Sequence, residues 1–261
     1  MDSTTDSVES TSQASTKSIA LYVTCLINSC RPEIAWDCVS LLESLGFRVD
    51  IPMDQSCCGQ PGYNGGHDIT ALAQQQIACL EAFDYVVIPS GSCAGMIINH
   101  YPTLFDPHSE WARRSQELAQ KTHELSDFLL KQGWAPKAKV TQTDAYEVNF
   151  SHHTSCSCRR ETRSHGATDA LLQRLNIPLV DFEEQEVCCG FGGSFSEKFS
   201  AISQRMALNK LEQIERSGCD TVVAADLGCL LHLEACAARL NKTTRFMHLA
   251  QVLKQHGGHS Q

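Results

Sequence analysis

Residues 54–66 read DQSCCGQPGYNGG, with two adjacent cysteines, Cys57 and Cys58, directly followed by a glycine. Adjacent cysteines are poorly placed to bridge to each other, because a disulfide needs Cα atoms about 4.4–6.8 Å apart and consecutive Cα atoms are about 3.8 Å apart. The same order returns in residues 185–197, QEVCCGFGGSFSE, with Cys188 and Cys189. The adjacent pair therefore occurs twice, and a disulfide between its own two cysteines does not explain it.

The pair belongs to a longer repeat of four cysteines. The first series is Cys25, Cys57, Cys58 and Cys93, and the second is Cys156, Cys188, Cys189 and Cys229. The first three members are offset by 131 residues and the last by 136. The neighbouring sequence repeats as well, since YVVIPSGSC ends at Cys93 and TVVAADLGC ends at Cys229. Self-similarity of this kind indicates a duplicated domain.

The duplication predicts the domain organisation. We expect a first domain at residues 18–140 and a second at residues 141–255, joined through the polar stretch 131–147. The Ser/Thr-rich residues 1–17 are typical of a disordered tail, and residues 256–261 form a short second tail.

Short β-rich runs alternate with helical patterns in both halves, which predicts an α/β fold of two tandem homologous domains, each a small parallel sheet flanked by helices. Strands are expected at residues 19–23, 47–52, 85–90 and 221–227. The first helix is expected over residues 31–46, with Pro32 at its first position and Gly46 just beyond its end.

A long helix is expected over residues 194–218 in the second half. Ser194 and Glu197 have the spacing of a capping box at its start. Its apolar residues recur at helical spacing and predict one buried face. They are Phe195, Phe199, Ile202 and Met206.

The repeated cysteines follow strand ends and precede helices. In an open parallel sheet such loops gather at the carboxyl edge, where helix N-termini favour an anionic, thiolate-bound centre. Loops far apart in sequence can then place four sulfurs around one point. The adjacent cysteines supply two ligands from one loop, and Gly59 or Gly190 is expected to let the backbone pass close to the bound centre.

Composition narrows the class of protein. Of 261 residues, 42% are hydrophobic and 20% charged, and the formal net charge is −9, which argues against nucleic acid or an anionic membrane as the main partner. No apolar run is long enough for a span, and no signal peptide is expected. We therefore expect a cytoplasmic protein, in which the 14 cysteines serve as metal ligands, redox thiols or core residues rather than disulfides.

Four thiolates suit an iron–sulfur cluster or a Cys₄ zinc site. Among the eight repeated cysteines, the C-x₂₋₄-C pairs of structural zinc sites are absent, and the incidental Cys156-Ser-Cys158 is spaced more closely than such a pair. The spacing favours a cluster and leaves zinc open, including zinc in one half only.

The arrangement C-x₃₁-CCG-x₃₃₋₃₈-C, present twice, resembles the cysteine-rich CCG domain of the heterodisulfide reductases and of the iron–sulfur proteins of glycolate oxidase and anaerobic glycerol-3-phosphate dehydrogenase. The phrases HTSC, CCGFGGSFSEK and AADLGCLLHL more closely resemble the lactate utilisation protein A family, over about residues 18–253. That resemblance implies an iron–sulfur electron-transfer protein that works with two partner proteins, one of them of ferredoxin type, in oxidising L-lactate to pyruvate. It implies an oxidoreductase subunit rather than a self-sufficient enzyme, without membrane insertion.

Two positions depart from the heterodisulfide reductase pattern, in which the last cysteine belongs to a CxxC. Ser90 and Asp226 stand where the additional cysteine would be, so each half offers four motif cysteines rather than five. The departure favours one conventional [4Fe–4S] cluster per half, with Asp226 as a weak oxygen ligand or none. It disfavours the alternative of a thiol- or disulfide-reducing enzyme; a zinc-binding interaction subunit is the other alternative.

Residues outside the repeat receive less weight. The thiols of Cys38, Cys79, Cys219 and Cys236 are expected in the core, and Cys30 and Cys158 are optional participants. His153, three residues before Cys156, either donates a hydrogen bond to a cluster sulfur or closes a strand end. Gly192 and Gly193 fit a helix start better than a phosphate loop.

Overall fold

The structure, a computed structural model, describes residues 16–137 and 148–258. It is α/β, with one parallel sheet in each half and helices flanking both, as the sequence predicted. Most of the expected joint at 131–147 and of the tail at 1–17 lies outside the described residues. Within the described part of the chain, no helix is both long and apolar enough to cross a membrane.

The first half forms a four-stranded parallel sheet. Its strands lie in the order β2 (Arg48–Asp50), β1 (Ser18–Leu21), β3 (Tyr85–Ile88) and β4 (Thr122–Glu124). Ile19 in the central β1 pairs with Val49 on one side and Tyr85 on the other. In chain order its elements are β1 (Ser18–Leu21), α1 (Cys25–Cys30), α2 (Glu33–Glu43), β2 (Arg48–Asp50), α3 (Gln60–Asn64), α4 (Thr70–Leu80), β3 (Tyr85–Ile88), α5 (Gly91–Gly95), a π-helical turn (Met96–His100), a 3₁₀ turn (Tyr101–Thr103), α6 (Glu110–Lys121), β4 (Thr122–Glu124) and α7 (Leu125–Lys131).

The second half repeats this layout with a three-stranded parallel sheet, β5-β6-β7. An isolated parallel bridge between Phe150 and Leu179 takes the place that β2 has in the first half. Its elements are β5 (Phe150–His152), α8 (Cys156–Arg160), α9 (His165–Arg174), α10 (Ser194–Lys198), α11 (Ser200–Arg216), β6 (Thr221–Ala224), α12 (Leu227–Arg239), β7 (Arg245–His248) and α13 (Leu249–His256).

The prediction of a single long helix over residues 194–218 is wrong. The chain leaves helical geometry at Phe199, with φ −127° and ψ 48°, and so divides the segment into α10 and α11. Gly193 is the N-cap of α10 and no side chain caps it, so the expected capping box from Ser194 does not form.

The apolar face predicted for that segment is also wrong at two positions. Phe199 and Ile202 are 53% and 57% exposed. The face that α11 buries instead carries Ala207, Leu211 and Ile214, which recur at helical spacing further along. Phe199 lies at the break, and Ile202 lies within α11 but outside its buried face, which begins at Ser203.

Other boundaries move by a few residues. Strand β1 ends at Leu21, and β2 spans only Arg48–Asp50. Pro32 is the N-cap of α2 rather than its first helical residue. Gly46 lies beyond the helix end with φ +86°, a conformation that glycine adopts without a Cβ penalty.

The two halves bury a common core. Helix α13 of the second half packs on α2 of the first, and α9 packs on α7. One cluster of buried apolar side chains therefore contains both Leu41 and Leu253. His248 stands at the end of β7, and its Nε2 lies 3.2 Å from the carbonyl oxygen of Pro89 in the first half. The carboxyl edges of the two sheets are consequently held against each other.

Gly91→Ala tests how closely the halves approach. A Cβ at Gly91, the first residue of α5, would lie 2.5 Å from Cys158 Sγ and 2.8 Å from its backbone nitrogen on α8. Overpacking of this kind costs about 1–3 kcal/mol, so we expect the melting temperature of the variant to fall by roughly 2–12 °C. Gly166→Ala in α9 is the matched control, because nothing lies within 4 Å of its Cβ position. Equal melting temperatures for the two variants would contradict this packing.

Candidate metal centres

The eight repeated cysteines line one cavity of about 280 Å³ between the two halves. Four come from each half, and each set of four comes from three different loops or helix starts. They are Cys25, Cys57, Cys58, Cys93, Cys156, Cys188, Cys189 and Cys229. The geometry brings together all the residues that the repeat singled out, and their role as ligands stays a prediction.

Helix starts position four of these thiols in matching pairs. Cys25 and Cys156 are the first residues of α1 and α8. Cys93 and Cys229 are each the third residue of a helix, in α5 and α12. Since the amino end of a helix carries partial positive charge, all four sulfurs lie where a negatively charged, sulfur-bound centre would be stabilised.

The hydroxyl groups before these helices hold their first turns in place. Thr24 accepts a hydrogen bond from the backbone N–H of Ile27, and Ser155 accepts one from that of Cys158. Ser90 does the same for the N–H of Cys93 at 3.4 Å. The cysteines of α1, α5 and α8 therefore sit on turns whose backbone is fixed by ordinary N-capping, whereas Asp226 makes no capping bond at the start of α12.

The backbone conformation and the close packing explain why a glycine follows each cysteine pair. Gly59 and Gly190 have φ values of +84° and +93°, and their N–H groups point at Cys57 Sγ and Cys188 Sγ over 3.4 Å. A Cβ at Gly190 would lie 2.6 Å from the carbonyl oxygen of Ser203. Glycine at Gly190 makes room for the helix packed behind the loop, and close passage of the backbone by a bound centre stays a prediction.

The sulfurs within each set are close enough to influence one another. Cys25 Sγ lies 4.0 Å from Cys57 Sγ. Hydrogen bonds from the thiols of Cys25 and Cys58 hold the pKa of Cys57 far below its usual range. In the second half, the thiols of Cys156 and Cys189 lower the pKa of Cys188 in the same way. Each set thus contains one sulfur that is ready to bind a metal as thiolate.

A buried carboxylate joins the two sets. Asp226, 5% exposed, accepts hydrogen bonds from Ser90 Oγ at 2.6 Å and from the backbone N–H of Ser92 at 3.1 Å through Oδ1. Its Oδ2 accepts from Ser155 Oγ and from Cys158 Sγ, the latter at 3.5 Å. Both carboxylate oxygens are engaged by protein donors, so the expectation of Asp226 as a weak oxygen ligand is not favoured by this geometry.

The two sets differ in the polar side chains that surround them. The hydroxyl groups of Tyr22 and Tyr101 lie beneath the first set, where they donate to the carbonyl oxygens of Ser56 and Cys58. In both, burial raises the pKa of the phenol. The first set therefore has neutral phenols around it.

The second set has nitrogen groups in place of phenols. His153 is 1% exposed, and burial lowers its pKa to about 3, so the imidazole is neutral. Lys210 is 4% exposed and donates to the carbonyl oxygens of Glu184 and Gln185 at 2.9 and 3.2 Å. Nothing in the sequence near Lys210 singled it out, because a lysine in a helix ordinarily faces solvent.

The remaining thiols lie away from the cavity wall. Cys38, Cys219 and Cys236 are buried and Cys79 is partly buried, as expected of core residues. Cys30, at the end of α1, is exposed, and Cys158 is buried against α5 and Asp226. None of these six is among the residues that line the cavity in the described part of the chain.

The donor set fits a metal or an iron–sulfur cluster. Two groups of four thiols face one space, and one ring nitrogen of His153 lies within 4.8 Å of Cys189 Sγ and Cys229 Sγ. Thiolates and imidazole are the ligands that zinc and iron–sulfur centres take in proteins.

Both halves match the family model of the cysteine-rich CCG domain, at residues 19–98 and 150–234, so the chain is a protein with two tandem CCG domains. Proteins named lactate utilization protein A are similar over 90% of this chain and 98% of their own length. They include those of Shouchella clausii (strain KSM-K16) and Geobacillus kaustophilus (strain HTA426), each 40% identical, and of Bacillus subtilis (strain 168), 36% identical. The chain belongs to the lactate utilization protein A family.

A solved structure of a LacI family transcriptional regulator from Arthrobacter sp. FB24 aligns with 87% of this chain and 73% of its own. The sequence identity is 13% and the TM-score is 0.32, a likeness too low to carry an argument.

Proposed function

We propose that the protein is an iron–sulfur electron-transfer subunit of a multi-protein system that oxidises L-lactate to pyruvate. The observation that carries the proposal is the convergence of two sets of four cysteines on one cavity. Each set would hold one [4Fe–4S] cluster through the four thiolates of its half. Such a cluster, when bound, supplies one-electron transfer at a potential set by its protein surroundings.

The chain's own groups prepare both sites for such a centre. Helix starts at four of the cysteines and the backbone N–H groups of Gly59 and Gly190 stabilise negative charge on the sulfurs. Cys58 and Cys189 are 2% exposed, which keeps water away from one side of each site. Low exposure and N–H groups directed at sulfur are the means by which proteins tune such potentials.

The names of the relatives support lactate as the source of the electrons. Oxidation of a 2-hydroxy acid to a 2-oxo acid releases two electrons, and two one-electron centres in one protein match that number. We propose that a partner protein carries out the oxidation and that another iron–sulfur protein, of ferredoxin type, exchanges electrons with this chain. The net charge of −9 favours protein partners over nucleic acid, and a cytoplasmic location is part of the proposal.

The alternative of a disulfide-reducing enzyme is less favoured by the geometry. It would draw on a fifth cysteine beside the cluster, at the positions of Ser90 and Asp226. These two side chains are instead hydrogen-bonded to each other at 2.6 Å across the junction of the halves. Zinc in one or both sets is the other alternative, and only metal analysis separates it.

Metal analysis of protein purified without oxygen tests the proposal. We expect about eight iron and eight acid-labile sulfide per chain, with an EPR signal after reduction, as for two [4Fe–4S] centres. About four of each together with one zinc would leave one half as an electron carrier. Zinc without sulfide would overturn the electron-transfer function and favour an interaction subunit.

A further inference from the structure

His153 is a buried polar side chain without a visible partner. It follows β5 directly and is 1% exposed. Neither Nδ1 nor Nε2 has a hydrogen-bond partner among the described residues. A buried donor or acceptor left unpaired costs about 1–3 kcal/mol, and an imidazole carries one of each. Such a group calls for a ligand that the protein atoms do not supply.

The surroundings of the ring indicate which ligand. His153 lines the cavity, and one of its ring nitrogens, Cys189 Sγ and Cys229 Sγ lie within 4.8 Å of one another. One imidazole nitrogen and two thiol sulfurs converging on one point form a typical zinc or iron donor set. With Cys156 and Cys188 in the same wall, the second half offers five donors.

The first half lacks this donor. Tyr22 occupies the equivalent position, three residues before Cys25 as His153 is before Cys156. The Tyr22 hydroxyl donates to the carbonyl oxygen of Ser56 at 2.5 Å, and burial raises the pKa of the phenol further above its usual value. The first half thus offers sulfur donors alone, so the two halves have diverged at one defined position.

We propose that His153 is a metal ligand of the second centre, together with Cys189 and Cys229, and that it takes the place of one of the two other thiolates of that half, Cys156 or Cys188. The two centres then differ in ligand set as well as in surroundings. Imidazole in place of thiolate raises the reduction potential of an iron–sulfur centre. The positive charge of Lys210 acts in the same direction, because it stabilises the more negative reduced form.

The consequence for electron transfer rests on the proposed function. If both centres are iron–sulfur clusters, the second has the higher potential, and an electron delivered to the chain is held preferentially in the second half. Removing the imidazole should shift the reduction equilibrium of that centre at least tenfold towards the oxidised form. For one electron this corresponds to about 59 mV.

The first experiment needs no substitution. The full-length protein is produced with ¹⁵N-labelled histidine, purified without oxygen and reduced, and pulsed EPR measures nitrogen hyperfine coupling. We expect a strong coupling from one directly bound imidazole nitrogen. Absence of histidine coupling, or only the weak coupling of a hydrogen-bonded ring, would overturn the proposal. The same spectrum in His153→Ala should lose the coupling, whereas Tyr22→Phe should keep it.

A second experiment separates failure of this inference from failure of the electron-transfer function. Co²⁺ alone is added to the metal-free full-length chain, and its d–d absorption is compared between the wild type, His153→Ala and Tyr22→Phe. With one cobalt ion bound in each half, we expect His153→Ala to change the absorption of the ion in the second half. Tyr22→Phe should leave the absorption of both ions unchanged. Identical spectra for all three proteins would overturn the ligand role, even if iron analysis supports two clusters. A cobalt change in a protein devoid of iron and sulfide would support the ligand role and overturn the cluster function.

Discussion

Replacing Cys189 with serine should lower the iron content of the protein from about eight to about four per chain, since four irons belong to each [4Fe–4S] cluster. Cys189 is 2% exposed and lines the cavity beside Cys188 and Cys229, so a hydroxyl there removes a sulfur from the centre of the second set. Thiolate is a far better ligand for such a cluster than a serine hydroxyl. Iron, sulfide and the EPR spectrum of the reduced protein report the outcome together.

The duplication supplies the matched controls. Cys58→Ser is the equivalent change in the first half and should also leave about four irons, with a different surviving EPR signal. Cys30→Ser should leave the iron content unchanged, because Cys30 is exposed at the end of α1 and does not line the cavity. Loss of all iron from either motif variant would contradict two independent centres and indicate one centre shared by both halves.

The repeat made much of this architecture accessible from the sequence. Identical offsets at Cys25, Cys57 and Cys58 require that both halves present the same loops, and parallel sheets bring such loops to one edge. That reasoning locates the sulfurs without any knowledge of packing. It gives no information on how the two edges lie relative to each other, because that depends on α13 packing on α2 and on α9 packing on α7.

The residues that distinguish the two sets were harder to predict. Lys210 looks like an ordinary helical lysine, but in α11, which follows the break at Phe199, it lies on the buried face and its side chain reaches the carbonyl groups of residues 184 and 185. The break itself has no proline or glycine to mark it in the sequence. Asp226 attracted notice only as a missing cysteine, since its partners Ser90 and Ser155 are far away along the chain.

Asp226→Ala should lower the melting temperature by roughly 10 °C. The substitution removes the acceptor of four donors, namely the hydroxyl groups of Ser90 and Ser155, the thiol of Cys158 and the backbone N–H of Ser92. A buried donor left without its acceptor costs about 1–3 kcal/mol, and 1 kcal/mol shifts the melting temperature of a protein of this size by roughly 2–4 °C. Thermal unfolding at matched metal content measures the change.

The same variant decides whether Asp226 binds the metal or only joins the halves. Because its two oxygens already accept protein hydrogen bonds, we expect Asp226→Ala to keep its full iron content at low temperature. Asp181→Ala removes an exposed carboxylate and should change neither iron nor melting temperature by a measurable amount. The double variant Asp226→Ala/Ser90→Ala should lose less melting temperature than the two single variants lose together, since the two side chains contact each other. Loss of iron without loss of stability would instead make Asp226 a ligand.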